Sequence, residues 1–395
     1  MPFNQRAAAW FRGRKSQRKN QEGETPVDQP LIWFHASSLG EFEQGLPIIR
    51  KWRSEKPGYL ILLTFFSPSG YIIEKDNKEV DRVMYLPLER RSDIKSFLDI
   101  YNPRIAIFIK YEIWPILLSE LYQRAIPTFL VSAVFRKDQI FFQWYGSWYL
   151  SILNLFSGIL VQDPSSLQLL KSKGVDNIKM VGDSRIDRVL EIAEQNVEVE
   201  GIKEFAGDSR IIIAGSSWPT EEQYLHKFLS ESSLEGIKLI IAPHDVSDDH
   251  LKSINDLFGS NLINYGQLLD DSRLGKGKTV LLIDRVGILS KIYQYGYLAV
   301  IGGAFGAGLH NVLEPAVHGL PIVFGPRYRK FVEAIELIEL NAAFSVKSYD
   351  EFHDKLLVLL NGENTLTNAS KGCREYVNKR RGASSLIISH LLEKT

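Results

Sequence analysis

The run HASSLGEFEQG, from His35 to Gly45, places a carboxylate, Glu41, directly after a glycine. An apolar run, PLIWF, precedes it and an amphipathic pattern, LPIIRKWR, follows, so the run joins a strand to a helix. Gly40 permits a tight backbone turn at that junction. Glu41 then falls in the first helical turn, where the macrodipole stabilises a negative side chain by roughly 0.3–1 kcal/mol. Two roles are open to it. It is a helix-start carboxylate with Ser37 or Ser38 as cap, or it is a general base that the dipole keeps ionised. Spacing does not choose between them.

Other junctions carry similar pairs of readings. In AGSSWPTEEQ, Ser216 and Ser217 lie where a strand yields to a helix, and Pro219 suits a first helical turn. They are contacts for a ligand or plain caps. In APHDVSDDH, His244 is a phosphate or substrate contact or a loop residue, and DDH alone is weak evidence for a metal. In VFGPRYRKF, Arg327, Arg329 and Lys330 are candidates for an anion or form a solvated basic loop. The glycine cluster GGAFGAGLHN, Gly302 to Asn311, departs from the G-x-G-x-x-G dinucleotide spacing and falls late in the chain, which argues against a dehydrogenase. It still suits a phosphate, because glycines let backbone N–H groups approach an anion and a helix starting at HNVLEPAVHG would present its positive end. Asn311 and Glu314 fit a capping box, and Glu314 alternatively fits a carboxylate receiving ribose hydroxyls.

These junctions need a scaffold of strands that end together. Apolar runs alternate with helical patterns along nearly the whole chain. LIWFHA, YLILLTFF, RVMYLP, IAIFIK, TFLVSA and GILVQ come first; RIIIAGS, KLIIAP, TVLLID, LAVIGG and PIVFG follow. Such uniformly apolar runs suit parallel strands buried on both faces, and their alternation with helices predicts βαβ units. The two series predict two Rossmann-like domains, with the break near residues 189–210. Ligands of such sheets bind beyond the carboxyl ends of the strands.

Bulk properties agree with a two-domain globular protein. The 395 residues are 45% hydrophobic and 24% charged, and 47 basic residues balance 47 acidic ones. No global field attracts nucleic acid. One cysteine, Cys373, excludes an intramolecular disulfide and a thiolate zinc cluster and fits a reducing compartment. The first twenty residues hold six basic side chains, no acidic one, and no apolar signal segment. With Phe3, Trp10 and Phe11 interleaved, this tail reads as an interfacial helix on anionic lipid or as a frayed basic end. QEGETPVDQP then reads as a linker. No charge occurs between Asp138 and Asp163, but polar residues interrupt that stretch. A helix packed in the core followed by the strand GILVQ is the favoured reading, and an aromatic surface on a bilayer the other.

WFHASSLGE, YEIWP, GDSRIDRV, AGSSWPTEE, GGAFGAGLHNVLEPAVHGLPIVFGP and RKFVEA occur in the order found in the transferases of 3-deoxy-D-manno-oct-2-ulosonic acid (Kdo). The chain resembles that family over roughly residues 31–390. The resemblance implies an α/β GT-B fold, two Rossmann-like domains facing each other across a cleft. It implies a basic tail and linker over 1–30, an acceptor domain over 31–195 and a donor domain over 196–375. A helix over 376–395 would cross back to the first domain. It further implies an inverting, metal-independent transfer of Kdo from CMP-Kdo to a lipid A precursor, peripherally on the cytoplasmic face of an inner membrane, with no cofactor. Glu41 occupies the position of the family's general base, and Glu112 that of the glutamate in its Glu-Leu/Ile-Trp-Pro motif. Ser216, Ser217, His244, Gly287, Ile288, Gly306, Asn311 and Glu314 would meet the donor. Ser38, Gly40, Lys110, Arg136 and Arg185 would meet the acceptor. Lys110 stands where the family commonly has glutamate, SAVFRKDQIFFQWYG replaces an Asn-Ala-Arg segment, and a longer apolar anchor found in many members has no counterpart. Two other readings are a different GT-B nucleotide-sugar enzyme, such as a UDP-sugar transferase or epimerase, and a non-catalytic lipid-A-binding protein of the same fold.

Overall fold

Strands β1 (Leu31–Ala36), β2 (Leu60–Phe65), β3 (Arg82–Tyr85), β4 (Ile105–Ile109), β5 (Thr128–Ala133), β6 (Gly158–Val161) and β7 (Ile178–Met180) form one sheet in a computed structural model. The structure describes residues 10–14, 27–232 and 235–394. The basic-tail expectation falls mostly on residues 1–9 and 15–26, outside the described ones. The order of the sheet is β3-β2-β1-β4-β5-β6-β7, and all its pairings are parallel.

Alternation along β1 explains the uniformly apolar reading. Leu31 and Trp33 join one buried cluster, with Phe97, Phe108 and Leu117. Ile32, Phe34 and Ala36 join the other, with Ile48, Trp52 and Ile107. Each face of the sheet is covered, so both parities of the strand must be apolar.

The second sheet comprises β8 (Arg210–Ser217), β9 (Ile237–Pro243), β10 (Leu262–Asn264), β11 (Val280–Leu282), β12 (Leu298–Ile301), β13 (Ile322–Phe324) and β14 (Ala343–Ser345). Its order is β10-β11-β9-β8-β12-β13-β14, again parallel throughout. Ile212, Ala214, Leu239, Phe228 and Phe352 anchor its core. Both sheets therefore reverse their winding once, between β1 and β4 and between β8 and β12. Those are the topological switch points at which doubly wound sheets bind ligands.

The chain divides into two compact units, residues 1–188 with 380–395, and residues 189–379. The final helix, Ala383–Leu392, belongs to the first unit, where Ile387, Ile388 and Leu391 enter the cluster under β1. Asp187 fixes its start by accepting hydrogen bonds from the Gly382 and Ser384 N–H groups, each at 2.6 Å.

The uncharged stretch after Asp138 divides its residues between interior and surface. It forms a short 3-10 turn, Ile140–Phe142, a helix, Ser147–Leu153, and then β6. Ile152, Leu153 and Phe156 are buried and Phe141, Phe142 and Tyr149 pack against the core. Trp144 is 92% exposed, and Tyr145 and Trp148 are exposed beside it. Among the described residues, no helix is long and apolar enough to cross a membrane.

Candidate active site

At the first switch point, β1 ends at Ala36 and the next helix runs Leu39–Glu55, with Ser38 in extended backbone as its N-cap. The Ser38 side chain makes no capping bond to the helix backbone. Its hydroxyl instead donates to Glu41 Oε2. Glu41 is half-buried in the first turn, and Gly40 beside it is exposed. So the serine serves the carboxylate rather than the helix end.

Glu112, which follows β4, is embedded in a chain of donors. Trp33 Nε1 donates to Thr64 Oγ1 at 2.8 Å, and that oxygen lies 2.9 Å from His35 Nδ1. His35 Nε2 is 3.0 Å from Glu112 Oε2, and Trp114 Nε1 donates to the same oxygen at 2.8 Å. Burial alone would raise the Glu112 carboxyl, but hydrogen bonds from His35, Trp114 and Ser37, with the charge of His35, hold it below its ordinary value. A carboxylate so supplied with donors is a poor proton acceptor. Glu112 is thus placed to fix His35 and Trp114.

Lys110, Arg136 and Arg185 belong to the same unit. Lys110 adopts φ of 74°, donates its N–H to Val131 O at 2.8 Å, and holds its ammonium 5.5 Å from the Tyr111 ring centre. Burial pushes the Tyr111 phenol up, Arg136 and Arg185 pull it down, and Asp163 and Glu41 push it up again. Tyr111 therefore lies in the field of all four charges. Arg185 bonds Asp183, with Nε to Oδ2 at 2.8 Å, so its ion pair lies within the first unit. Arg136 is exposed, and its backbone N–H donates to Gln139.

At the second switch point, Ser216 adopts φ of 49° and Ser217 is buried, its hydroxyl donating to Glu222 at 2.8 Å. Across from them, Gly302 must be glycine, because a Cβ there would stand 2.1 Å from Ser216 O. Glu221 ties the two strand ends together, accepting from the N–H groups of Gly303 (2.9 Å) and Trp218 (3.2 Å). His244, after β9, stacks on Trp218 at 5.0 Å and on His310 at 4.5 Å between ring centres. His250 of the DDH run turns to Glu222, at 3.1 Å, and to Asp245 O.

The helix expected from His310 begins later. It runs Leu313–Val317, so Asn311 lies two residues outside it. Asn311 Oδ1 accepts from Leu313 N–H and its amide donates to Glu314 Oε1, each at 2.9 Å. The asparagine, not the glutamate, therefore bonds the helix start. Gly306 is held through its carbonyl by Arg327, at 2.6 Å. Gly287, with φ of 93°, and Ile288 follow β11, one strand further out than β9.

The structure thus gathers Ser38, Gly40, Glu41, Lys110, Glu112, Arg136 and Arg185 in the first unit. It places Ser216 and Ser217 at the end of β8, and His244, Gly306, Asn311 and Glu314 after β9 and β12, in the second. Sequence reasoning did not single out His35, Thr64, Tyr111, Trp114, Trp218, Glu221 or His310 as site residues. All but Thr64 and Glu221 adjoin a residue already chosen or lie within three positions of one.

Three comparisons bear on this geometry. Residues 7–188 match the family model described as 3-Deoxy-D-manno-octulosonic-acid transferase (kdotransferase). The 3-deoxy-D-manno-octulosonic acid transferase of Aquifex aeolicus is 29% identical over 89% of this chain and 92% of its own. That of Rickettsia felis is 25% identical over 91% of this chain and 79% of its own. Among solved structures, UDP-GlcNAc 2-epimerase from Neisseria meningitidis, bound to UDP-GlcNAc, has a TM-score of 0.65 at 14% identity, covering 92% of this chain and 100% of its own. That likeness is one of fold, the GT-B fold.

Proposed function

For a chain whose residues 7–188 match the 3-Deoxy-D-manno-octulosonic-acid transferase family model, we propose inverting transfer of Kdo from CMP-Kdo to a lipid A precursor. Glu41 is the base. What supports this most is the Ser38–Glu41 pair at the first switch point, a carboxylate oriented at a helix start that shares Tyr111 as a neighbour with Arg136 and Arg185.

The donor binds the second unit, with its phosphate on the loop from Gly302 to Asn311 and its ribose toward Glu314. The backbone at Gly287 and Ile288 runs along the base, and Ser216, Ser217 and His244 complete the pocket. The acceptor meets the first unit beside Gly40, Lys110, Arg136 and Arg185. Its primary hydroxyl oxygen attacks the anomeric carbon, the bond from that carbon to the phosphate oxygen breaks, and CMP departs with the electron pair. Glu41 takes the hydroxyl proton as the new C–O bond acidifies it. One displacement inverts the configuration. Backbone N–H groups and cationic side chains receive the charge of the leaving phosphate, so the step needs no metal. Glu112 acts as a positioning residue. Arg136, Lys137 and the exposed Trp144, Tyr145 and Trp148 supply peripheral contact with the membrane that carries the acceptor.

The test is CMP release from CMP-Kdo with a tetra-acylated lipid A precursor, beside Glu41→Gln. The native chain turns over, and the variant loses about 100-fold or more in rate while binding CMP as before. Equal rates would reduce Glu41 to a helix-start carboxylate. Preference for uridine over cytidine nucleotides would move the chain to another donor class. Lipid binding with no CMP release from either protein would make it a non-catalytic lipid-binding protein.

A further inference from the structure

The ring stack at the second switch point fixes the proton of His310. Trp218 Nε1 lies 3.0 Å from His310 Nε2. An indole nitrogen only donates, so His310 Nε2 must accept and carry no hydrogen. The imidazole proton is then on Nδ1. Burial first, and His244 second, lower the pKa of His310, which favours the same neutral form.

The rings are held firmly. Trp218 and His310 are within 13° of parallel, and His244 lies 4.5 Å from His310 between ring centres. Trp218 is itself anchored by its backbone N–H to Glu221, the residue that also holds Gly303. At Gly303 an added Cβ would meet His310 Cδ2 at 2.9 Å and Nε2 at 3.1 Å, so that edge of the imidazole faces Gly303 and Nδ1 lies on the opposite edge. Imidazole tautomers interconvert freely unless a partner fixes one, and a hydrogen-bond donor is useful to an anion only in the correct tautomer.

We propose that Trp218 is a positioning residue that locks His310 as the neutral Nδ1–H tautomer, so that His310 donates that hydrogen to the nucleotide phosphate. The identity of that anion rests on the donor reading above; the locking itself does not. His244 packs against both rings and keeps the imidazole from rotating.

Trp218→Phe keeps an aromatic ring in the stack and removes only the donor. Nitrogen-15 spectra of histidine-labelled protein separate the tautomers. Native His310 should show a bare Nε2 and a protonated Nδ1, and the variant a mixture. CMP affinity, read by calorimetry, should fall about fivefold to tenfold, the effect of one neutral hydrogen bond. His310→Gln should lose a similar factor, and the double variant should lose no more than either alone, since both changes remove one interaction. A protonated Nε2 in the native protein, or an unchanged tautomer in Trp218→Phe, overturns the locking. Additive losses, or CMP affinity unmoved by a changed tautomer, overturn the donation to phosphate. If CMP does not bind the native protein at all, the donor reading and the phosphate half fail, while the spectra still decide the locking.

Discussion

Two glutamates follow strands at the first switch point, and their hydrogen bonds divide the labour between them. Glu41 meets one hydroxyl, whereas Glu112 meets His35, Trp114 and Ser37. Glu112→Gln keeps the shape but leaves an N–H-bearing amide facing donors, so it should destabilise the protein by about 1–3 kcal/mol at neutral pH. The folded pKa of Glu112 is depressed, so its contribution is present above the unfolded value and is lost as pH falls through the folded one. Denaturation of the two proteins at pH 7 and in acid should therefore show the stability gap narrowing on the acid side. A constant gap would mean that charge plays no part in it. Glu41 stood out by its place after an apolar run, and both glutamates by the family motifs they match. The sequence did not separate them, because the donors to Glu112 come from β1, the turn after it and the loop after β4, which only the sheet brings together. His310 was hidden for the same reason: its partner, Trp218, is 92 residues away.

At the scale of elements, buried apolar runs were legible and short, partly exposed ones were not. The runs read as strands all contain strands, because burial on both faces leaves an unbroken apolar signature. β7, β10 and β14 are three-residue strands at the sheet edges and are partly exposed, so they lack the unbroken apolar signature that the equally short but fully buried β11 and β13 carry. The turn at the second switch point is the most constrained connection. Gly302→Ala places a methyl against Ser216 O and Ser217 Cα, at 2.1 and 2.7 Å, so backbone must move. The substitution should lower the melting temperature and weaken CMP binding about tenfold or more, whereas Gly306→Ala, whose Cβ has open space, should do neither. The aromatic segment resolves its two sequence readings by splitting them: its apolar half is core, and Trp144, Tyr145 and Trp148 are surface. If that surface meets lipid, Trp144→Ser with Trp148→Ser should lower binding to anionic vesicles roughly tenfold without changing CMP affinity. Unchanged sedimentation with the vesicles would remove this segment from the membrane contact.

The whole molecule is two units with a shared plan but separate cores, and each can be followed by its own reporter. Cys373 is fully buried in the second unit, where its thiol donates to Leu320 O and burial pushes its pKa up to about 12. It should resist alkylation in the native protein and react as the second unit unfolds, so labelling against denaturant reports that unit alone. Fast labelling under native conditions would contradict this burial. For the first unit, Ile387→Ala should cost about 2–4 kcal/mol, because Ile387 is buried under β1. The chain leaves that unit at Arg188 and returns at Arg380. During synthesis, the second unit is therefore complete while the first still lacks a wall: Ile387, Ile388 and Leu391 emerge more than two hundred residues after the other buried members of the cluster they fill. The half of the protein made first is the half that can finish folding only last.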